Sequence, residues 1–142
     1  MLAATNNGQE ENKKKAKVLI AEDDKFLSKV LSDKFTRKNY LAIVASDGVE
    51  AINKIKTEAP DIVLLDLIMP NKSGFEILEE VKTDDRYKDI PIIILSNLGQ
   101  KTDVERGKKL GVADYLIKSN TPINDIVKKV EEVLAQSKIA KG

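Results

Sequence analysis

Cysteine and histidine are both absent from the 142 residues of this chain. Without thiols there is neither a disulfide framework nor a thiolate metal site. Without imidazole there is no histidine general base, no histidine zinc ligand and no phosphohistidine on this chain. Aromatic residues make up only 4%, and 24 basic against 23 acidic residues leave a net charge of +1. That balance gives no basic footprint for nucleic acid, and few rings on which bases could stack. No apolar run approaches the roughly 18 residues of a membrane span. The polar, lysine-rich opening also lacks the apolar core of a signal peptide. These absences lead to the expectation of a cytoplasmic protein that binds neither nucleic acid nor membrane.

What is present suits one globular domain: 42% hydrophobic and 33% charged residues, at a length that can bury a core but not two. Residues 1–15 lack periodicity and read as a flexible N-terminal tail, with Lys13–Lys15 solvated rather than a docking patch. The folded domain is expected over residues 16–137, with a short C-terminal tail over 138–142 and nothing after Ala140 that could form a second domain.

From Lys17 onward, short apolar runs at Val18–Ala21, Leu41–Ala45, Ile62–Leu65, Ile92–Leu95 and Ala113–Ile117 read as strands. Helical spacing separates them. Phe26, Leu27, Val30, Leu31 and Phe35 fall on one stripe, as do Ile126, Val127, Val130, Val133 and Leu134. Asp47 with Glu50, Ser73 with Glu76 and Thr102 with Glu105 have the spacing of capping boxes, and Thr121–Pro122 pairs an N-cap with a proline at the first helical position. Strands alternating with helices imply right-handed βαβ units, hence an α/β fold with a doubly wound, five-stranded parallel sheet covered on both faces.

Ligands of such sheets bind beyond the carboxyl ends of the strands. The first strand exits at Glu22, Asp23 and Asp24, the third at Asp66, the fourth at Ser96 and the fifth at Lys118. Each has a plain alternative: Asp24 reads equally well as a helix cap, and Ser96 or Lys118 alone would say little. Asp66 directly follows Ile-Val-Leu-Leu, where an unpaired carboxylate is costly. The conjunction at four of five exits points to a site. A hard divalent cation, Mg2+ or alternatively Mn2+, would hold clustered carboxylates and still leave room for a phosphate oxygen. Lys118 and Ser96 would then supply donors to a phosphoryl group, with Asp66 as the carboxylate nucleophile.

The blocks Val18-Leu-Ile-Ala-Glu-Asp-Asp24, Asp61-Ile-Val-Leu-Leu-Asp-Leu-Ile-Met-Pro-Asn-Lys-Ser-Gly74, Ile92-Ile-Ile-Leu-Ser96 and Ala113-Asp-Tyr-Leu-Ile-Lys118 resemble the signature blocks of response-regulator receiver domains. The match runs from about Lys17 to Gln136. The resemblance implies a flavodoxin-like (βα)5 fold with strand order 2-1-3-4-5. It implies Asp66 as phosphoacceptor, Asp23 as a direct metal ligand, Glu22 as a ligand through water, and the backbone carbonyl of Ile68 as a further ligand. Ser96 matches the switch hydroxyl, Lys118 the lysine that pairs with the phosphoryl group, and Tyr115 the aromatic that follows the hydroxyl. The implied donor is a sensor histidine kinase or a histidine phosphotransfer protein, and a downstream protein would read the face of the fourth helix, fifth strand and fifth helix. The family also admits phosphorylation-dependent homodimers. On this reading the chain is no enzyme beyond its self-catalysed phosphorylation and dephosphorylation of Asp66.

Two departures stand out. The family's lysine is usually followed by a cis proline, whereas Ser119 follows Lys118 here. A cis bond before serine costs roughly 3 kcal/mol, so a trans bond and a reshaped loop are expected. Ile68 and Leu98 flank the acceptor with apolar side chains, which cannot orient an attacking water, so slow self-hydrolysis of the phosphoaspartate is expected. Three other readings remain open. A flavin-binding protein would need a glycine- and hydroxyl-rich loop where Glu22-Asp-Asp24 stands. A metal-dependent phosphatase would want another aspartate close after the nucleophile, where Leu67 and Ile68 lie. A phosphorylation-independent interaction module would not need the full set of site residues.

Overall fold

The computed structural model describes residues 15–141; the expected tail before Lys15, and Gly142, lie outside the described residues. The elements follow in the order β1 (Lys17–Ala21), α1 (Lys25–Arg37), β2 (Leu41–Ala45), α2 (Gly48–Glu58), β3 (Ile62–Leu65), α3 (Gly74–Lys82), β4 (Ile92–Ser96), α4 (Lys101–Lys109), β5 (Asp114–Ile117) and α5 (Ile123–Lys141), with a 3-10 turn at Lys118–Asn120. All strand pairs are parallel and the sheet order is β2-β1-β3-β4-β5. This is the doubly wound, flavodoxin-like order the resemblance implied. At the ends the structure is more regular than the sequence suggested. α5 continues to Lys141, through residues expected to form a tail. Lys15 donates its amide to the Asn39 carbonyl at 2.9 Å, and its ammonium lies 5.2 Å from the Tyr40 ring centroid.

The pleat divides the core in two. Leu19 and Ala21, Val63 and Leu65, and Ile92 and Ile94 face one side, where α2 and α3 bring Ala51, Ile52, Ile55, Phe75, Ile77, Leu78 and Val81. Val18 and Ile20, Ile62 and Leu64, and Ile93 and Leu95 face the other, against Leu31 and Phe35 of α1 and the Ile126-to-Leu134 stripe of α5. β3 and β4 are buried at every position, while the outer strands β2 and β5 are only partly buried. Each fully buried Leu or Ile contributes about 1.5–3 kcal/mol, so the central strands are the rigid base from which the loops at their carboxyl ends project.

Helix starts depart from the expectations in instructive ways. Ser73 and Glu76 form both halves of a capping box. Asp47 accepts the Glu50 amide at 2.8 Å, but Glu50 reaches back to the Ser46 amide, also at 2.8 Å. The Thr102–Glu105 box does not form: α4 begins at Lys101 with Gln100 at the N-cap, so Thr102 already lies inside the first turn. Thr121 is not at the N-cap, since α5 begins at Ile123 and Pro122 stands just before it rather than as its first residue; the Thr121 hydroxyl donates to the Ile117 carbonyl at 2.8 Å. Phe26, expected on the buried stripe of α1, is 81% exposed. It sits in the first turn, outside the stretch that Leu31 and Phe35 press onto the sheet.

Gly48 opens α2 where the loop after β3 passes closest. Its amide donates to the Pro70 carbonyl at 3.1 Å, and a Cβ at this position would lie 1.9 Å from the Lys72 carbonyl oxygen. A backbone oxygen cannot step aside as a flexible side chain can, so glycine is required for the approach. Gly48→Ala is expected to destabilise the fold by about 2–3 kcal/mol, seen as a lower urea midpoint at unchanged m-value. An unshifted midpoint would show that the β3–α3 loop is free to move away.

Candidate functional site

β1 and β3 are neighbours, and Ala21 is in register with Leu65. Glu22 and Asp66 therefore leave adjacent strands at the same level. The Asp66 amide donates to the Ala21 carbonyl at 3.0 Å and the Glu22 amide to the Ala45 carbonyl at 2.9 Å, so both residues remain tied to the sheet. The two residues are 5% and 3% exposed respectively. Asp66 Oδ1 accepts the Ile68 amide at 3.1 Å, and Glu22 Oε2 accepts the Asp24 amide at 3.0 Å. Just past Asp66, the Gly74 amide closes the loop onto the Leu67 carbonyl at 3.0 Å. A Cβ at Gly74 would come within 2.6 Å of the Asp66 carbonyl oxygen.

Lys118 supplies the opposing charge. It follows Ile117, which is in register with Ser96 of β4, and its side chain crosses β4 to reach β3 and β1. Its Nζ lies 2.8 Å from Asp66 Oδ2 and 2.6 Å from Glu22 Oε1. Burial works against the ammonium, but the hydrogen bonds and charges of Asp66 and Glu22 outweigh it and hold its pKa above the ordinary lysine value. Glu22 is perturbed the other way. Burial pushes its pKa up to about 7, Lys118 and the Asp24 amide oppose that, and the charge of Asp66 adds to it.

Asp23 is exposed at the mouth. Glu22, Asp23 and Asp66 each offer a carboxylate oxygen within 4.8 Å of the others, a spacing that could hold a metal ion. The donor set fits a hard divalent cation, since it is all oxygen. A second observation agrees: buried Glu22 Oε1 has the Lys118 ammonium as its partner at 2.6 Å, and that same ammonium is shared with Asp66. One ammonium shared between two buried carboxylates leaves negative charge over, which a divalent cation would offset. Asp24 takes no part, accepting the Phe26 and Leu27 amides as the N-cap of α1.

Ser96, Leu98 and Tyr115 form a second group. Ser96 is fully buried, and its Oγ accepts the Leu98 amide at 3.3 Å rather than contacting a site carboxylate. Tyr115 is buried too, with its hydroxyl donating to the Leu98 carbonyl. Burial, followed by the charges of Asp103 and Asp66, raises its pKa. The expected serine and tyrosine are thus joined through the main chain of Leu98. Ile68 sits at the rim, with its side chain 59% exposed. No cis peptide bond occurs among the described residues, so Lys118–Ser119 is trans as expected. Sequence reading missed Asn97, whose Oδ1 accepts the Ser119 amide at 3.0 Å. The signal was available: a serine where proline is usual restores an N–H that needs an acceptor.

Known proteins share this fold. A family model described as the response regulator receiver domain matches residues 18–131. The alkaline phosphatase synthesis transcriptional regulatory protein PhoP of Bacillus subtilis is 32% identical over 124 residues, covering 87% of this chain and 50% of that protein. The chain spans about half the length of the curated relatives it matches. Among solved structures, the receiver domain of the Francisella response regulator 1452 is 31% identical with a TM-score of 0.78, covering 86% of this chain and 98% of that one. The Mn(2+)-bound form of response regulator Rcp1 is 29% identical with a TM-score of 0.72, covering 83% of this chain and 91% of that one. The carboxylate cluster, its lysine and the sheet order therefore have one common explanation: the chain belongs to the response-regulator receiver domain family of two-component signalling.

Proposed function

We propose that Asp66 accepts a phosphoryl group from a phosphohistidine donor, either a sensor histidine kinase or a histidine phosphotransfer protein. The observation that carries this reading is the placement of the buried Asp66 carboxylate between the Lys118 ammonium, 2.8 Å away, and the Glu22–Asp23 pair. In the transfer, an Asp66 carboxylate oxygen forms the new P–O bond while the donor's P–N bond breaks, its electron pair returning to the imidazole. Lys118 and the Ser96 hydroxyl donate to the phosphoryl oxygens. Glu22, Asp23, Asp66 and the Ile68 carbonyl would hold Mg2+ or Mn2+. Such a cation, when bound, neutralises phosphoryl charge as it develops. The manganese-bound form of Rcp1 supports that choice of ion. The chemistry is confined to Asp66 itself, with no turnover of external phosphate esters.

Phosphorylation adds charge and strong acceptors at Asp66, drawing Ser96 out of its contact with Leu98. Tyr115 shares Leu98 through its carbonyl and follows, so the α4-β5-α5 face shifts between two populated states for a downstream partner or a second copy to read. The phosphorylation-independent module is the rival reading. Incubation with acetyl phosphate and Mg2+ is expected to add one phosphoryl mass to the intact protein, and Asp66→Asn to abolish the gain. No gain in the wild type with either acetyl phosphate or a phosphohistidine donor would favour the rival.

Ile68 and the half-buried Leu98 offer no polar group to a water approaching the phosphoaspartate. Ile68→Asn is expected to shorten the phosphoryl lifetime several-fold, measured as loss of the added mass after acetyl phosphate is removed. An unchanged lifetime would sink that account.

The Glu22 carboxylate has its folded pKa raised from 4.5 to about 7. Its stability contribution is therefore complete below pH 4.5 and lost as pH rises through about 7. Glu22→Gln should raise Tm in EDTA at pH 8 by about 5 °C while weakening Mg2+ binding. A lower Tm with unchanged Mg2+ affinity would refute both the burial cost and the ligand role.

A further inference from the structure

Lys118 reaches its carboxylates across a neighbouring strand on a stem with four rotatable carbons, and such a side chain has many rotamers to lose. Where its backbone begins therefore matters. On the N-terminal side, Ile117 is fixed by register with Ser96. On the C-terminal side the chain enters the turn at Lys118–Asn120. There the Ser119 amide donates to Asn97 Oδ1 at 3.0 Å, and the Thr121 amide and hydroxyl return to the Lys118 and Ile117 carbonyls at 3.4 and 2.8 Å. Among the described residues, the Asn97 contact is the hydrogen bond that ties the backbone of the turn to another strand exit, 22 residues away in sequence.

A proline at position 119 would have no N–H and could not make this bond. Ser119 and Asn97 thus belong together: where a ring would restrain the backbone after the lysine, this chain uses an amide held by a neighbouring side chain. Asn97 is also the residue directly after Ser96, so a movement of that serine toward Asp66 carries Asn97, and with it the turn that bears Lys118.

We propose that Asn97 is a positioning residue which, through the Ser119 amide, sets Lys118 against Asp66 and thereby the rate of phosphoryl transfer to Asp66. The proposal rests on the phosphoacceptor reading given above and deepens it. Asn97 touches no reacting atom in this account, and its effect must vanish when residue 119 has no N–H to offer.

The test is a double-mutant comparison on the full chain with acetyl phosphate and Mg2+. Asn97→Ala should slow phosphorylation about 3–10-fold, the scale of one lost hydrogen bond. Asn97→Asp, which keeps an oxygen acceptor, should stay within about 2-fold of wild type. In a Ser119→Pro background, Asn97→Ala should have no further effect. Equal slowing in both backgrounds would overturn the proposal, since Asn97 would then act directly on the phosphoryl group or its access. No slowing in either would overturn it as well. Two NMR signals of the unphosphorylated protein report independently of phosphoryl chemistry. Ser119 amide exchange should speed up and the Lys118 ammonium signal broaden in Asn97→Ala, both recovering in Asn97→Asp. If the wild type takes no phosphoryl group, the proposed function fails. The positioning role then stands on the ammonium signal, and is overturned if Asn97→Ala leaves it unchanged.

Discussion

The fold is organised around a cost: carboxylates gathered at the end of a parallel sheet, two of them almost wholly buried, with one ammonium set against them. Charges this close repel strongly in a medium less polarisable than water. Lys118 lies within ion-pair distance of both Glu22 and Asp66, yet a single positive charge cannot fully satisfy two negative ones. The raised pKa of Glu22 is one expression of that shortfall. A site left in this condition is disposed toward a further cation. A settled structural ion pair would have no such disposition.

Much of the remaining structure keeps those groups in place. The apolar strands β3 and β4 end at Asp66 and Ser96, so the polar residues stand on the least deformable part of the molecule. The loops are held by backbone contacts that leave no room for side chains, Gly48 against Lys72 and Gly74 against Asp66. The ion pairs that Lys56 and Lys72 make with Glu80 lie on the surface, far more exposed, and exposed pairs of this kind contribute little.

The parts of this arrangement that depend on pattern were legible in the sequence. Five apolar runs separated by helical spacing gave the strands within a residue or so, and the residues at their exits gave the cluster. What was not legible depends on how a segment sits in three dimensions. Phe26 has the spacing of a buried residue but falls in a helical turn that does not press on the sheet. Thr102 and Glu105 have the spacing of a capping box but begin two residues past the N-cap, Gln100. Nothing in the sequence marks Gly48 as obligatory, because the Lys72 carbonyl that forbids a side chain comes from a distant loop. Asn97 was overlooked because its partner lies 22 residues away. Its role appears only when the missing proline is treated as an N–H gained rather than a ring lost.

The main chain around Leu98 has a further consequence. Its amide is taken by Ser96 and its carbonyl by Tyr115, so the two contacts bracket the φ and ψ of one residue. The Leu98 side chain is itself packed against the core. In mechanical terms the serine and the tyrosine are the ends of a linkage with two degrees of freedom, pinned at its middle. On the proposed switching, a linkage so constrained would have few intermediate settings, and displacement at one end would carry to the other.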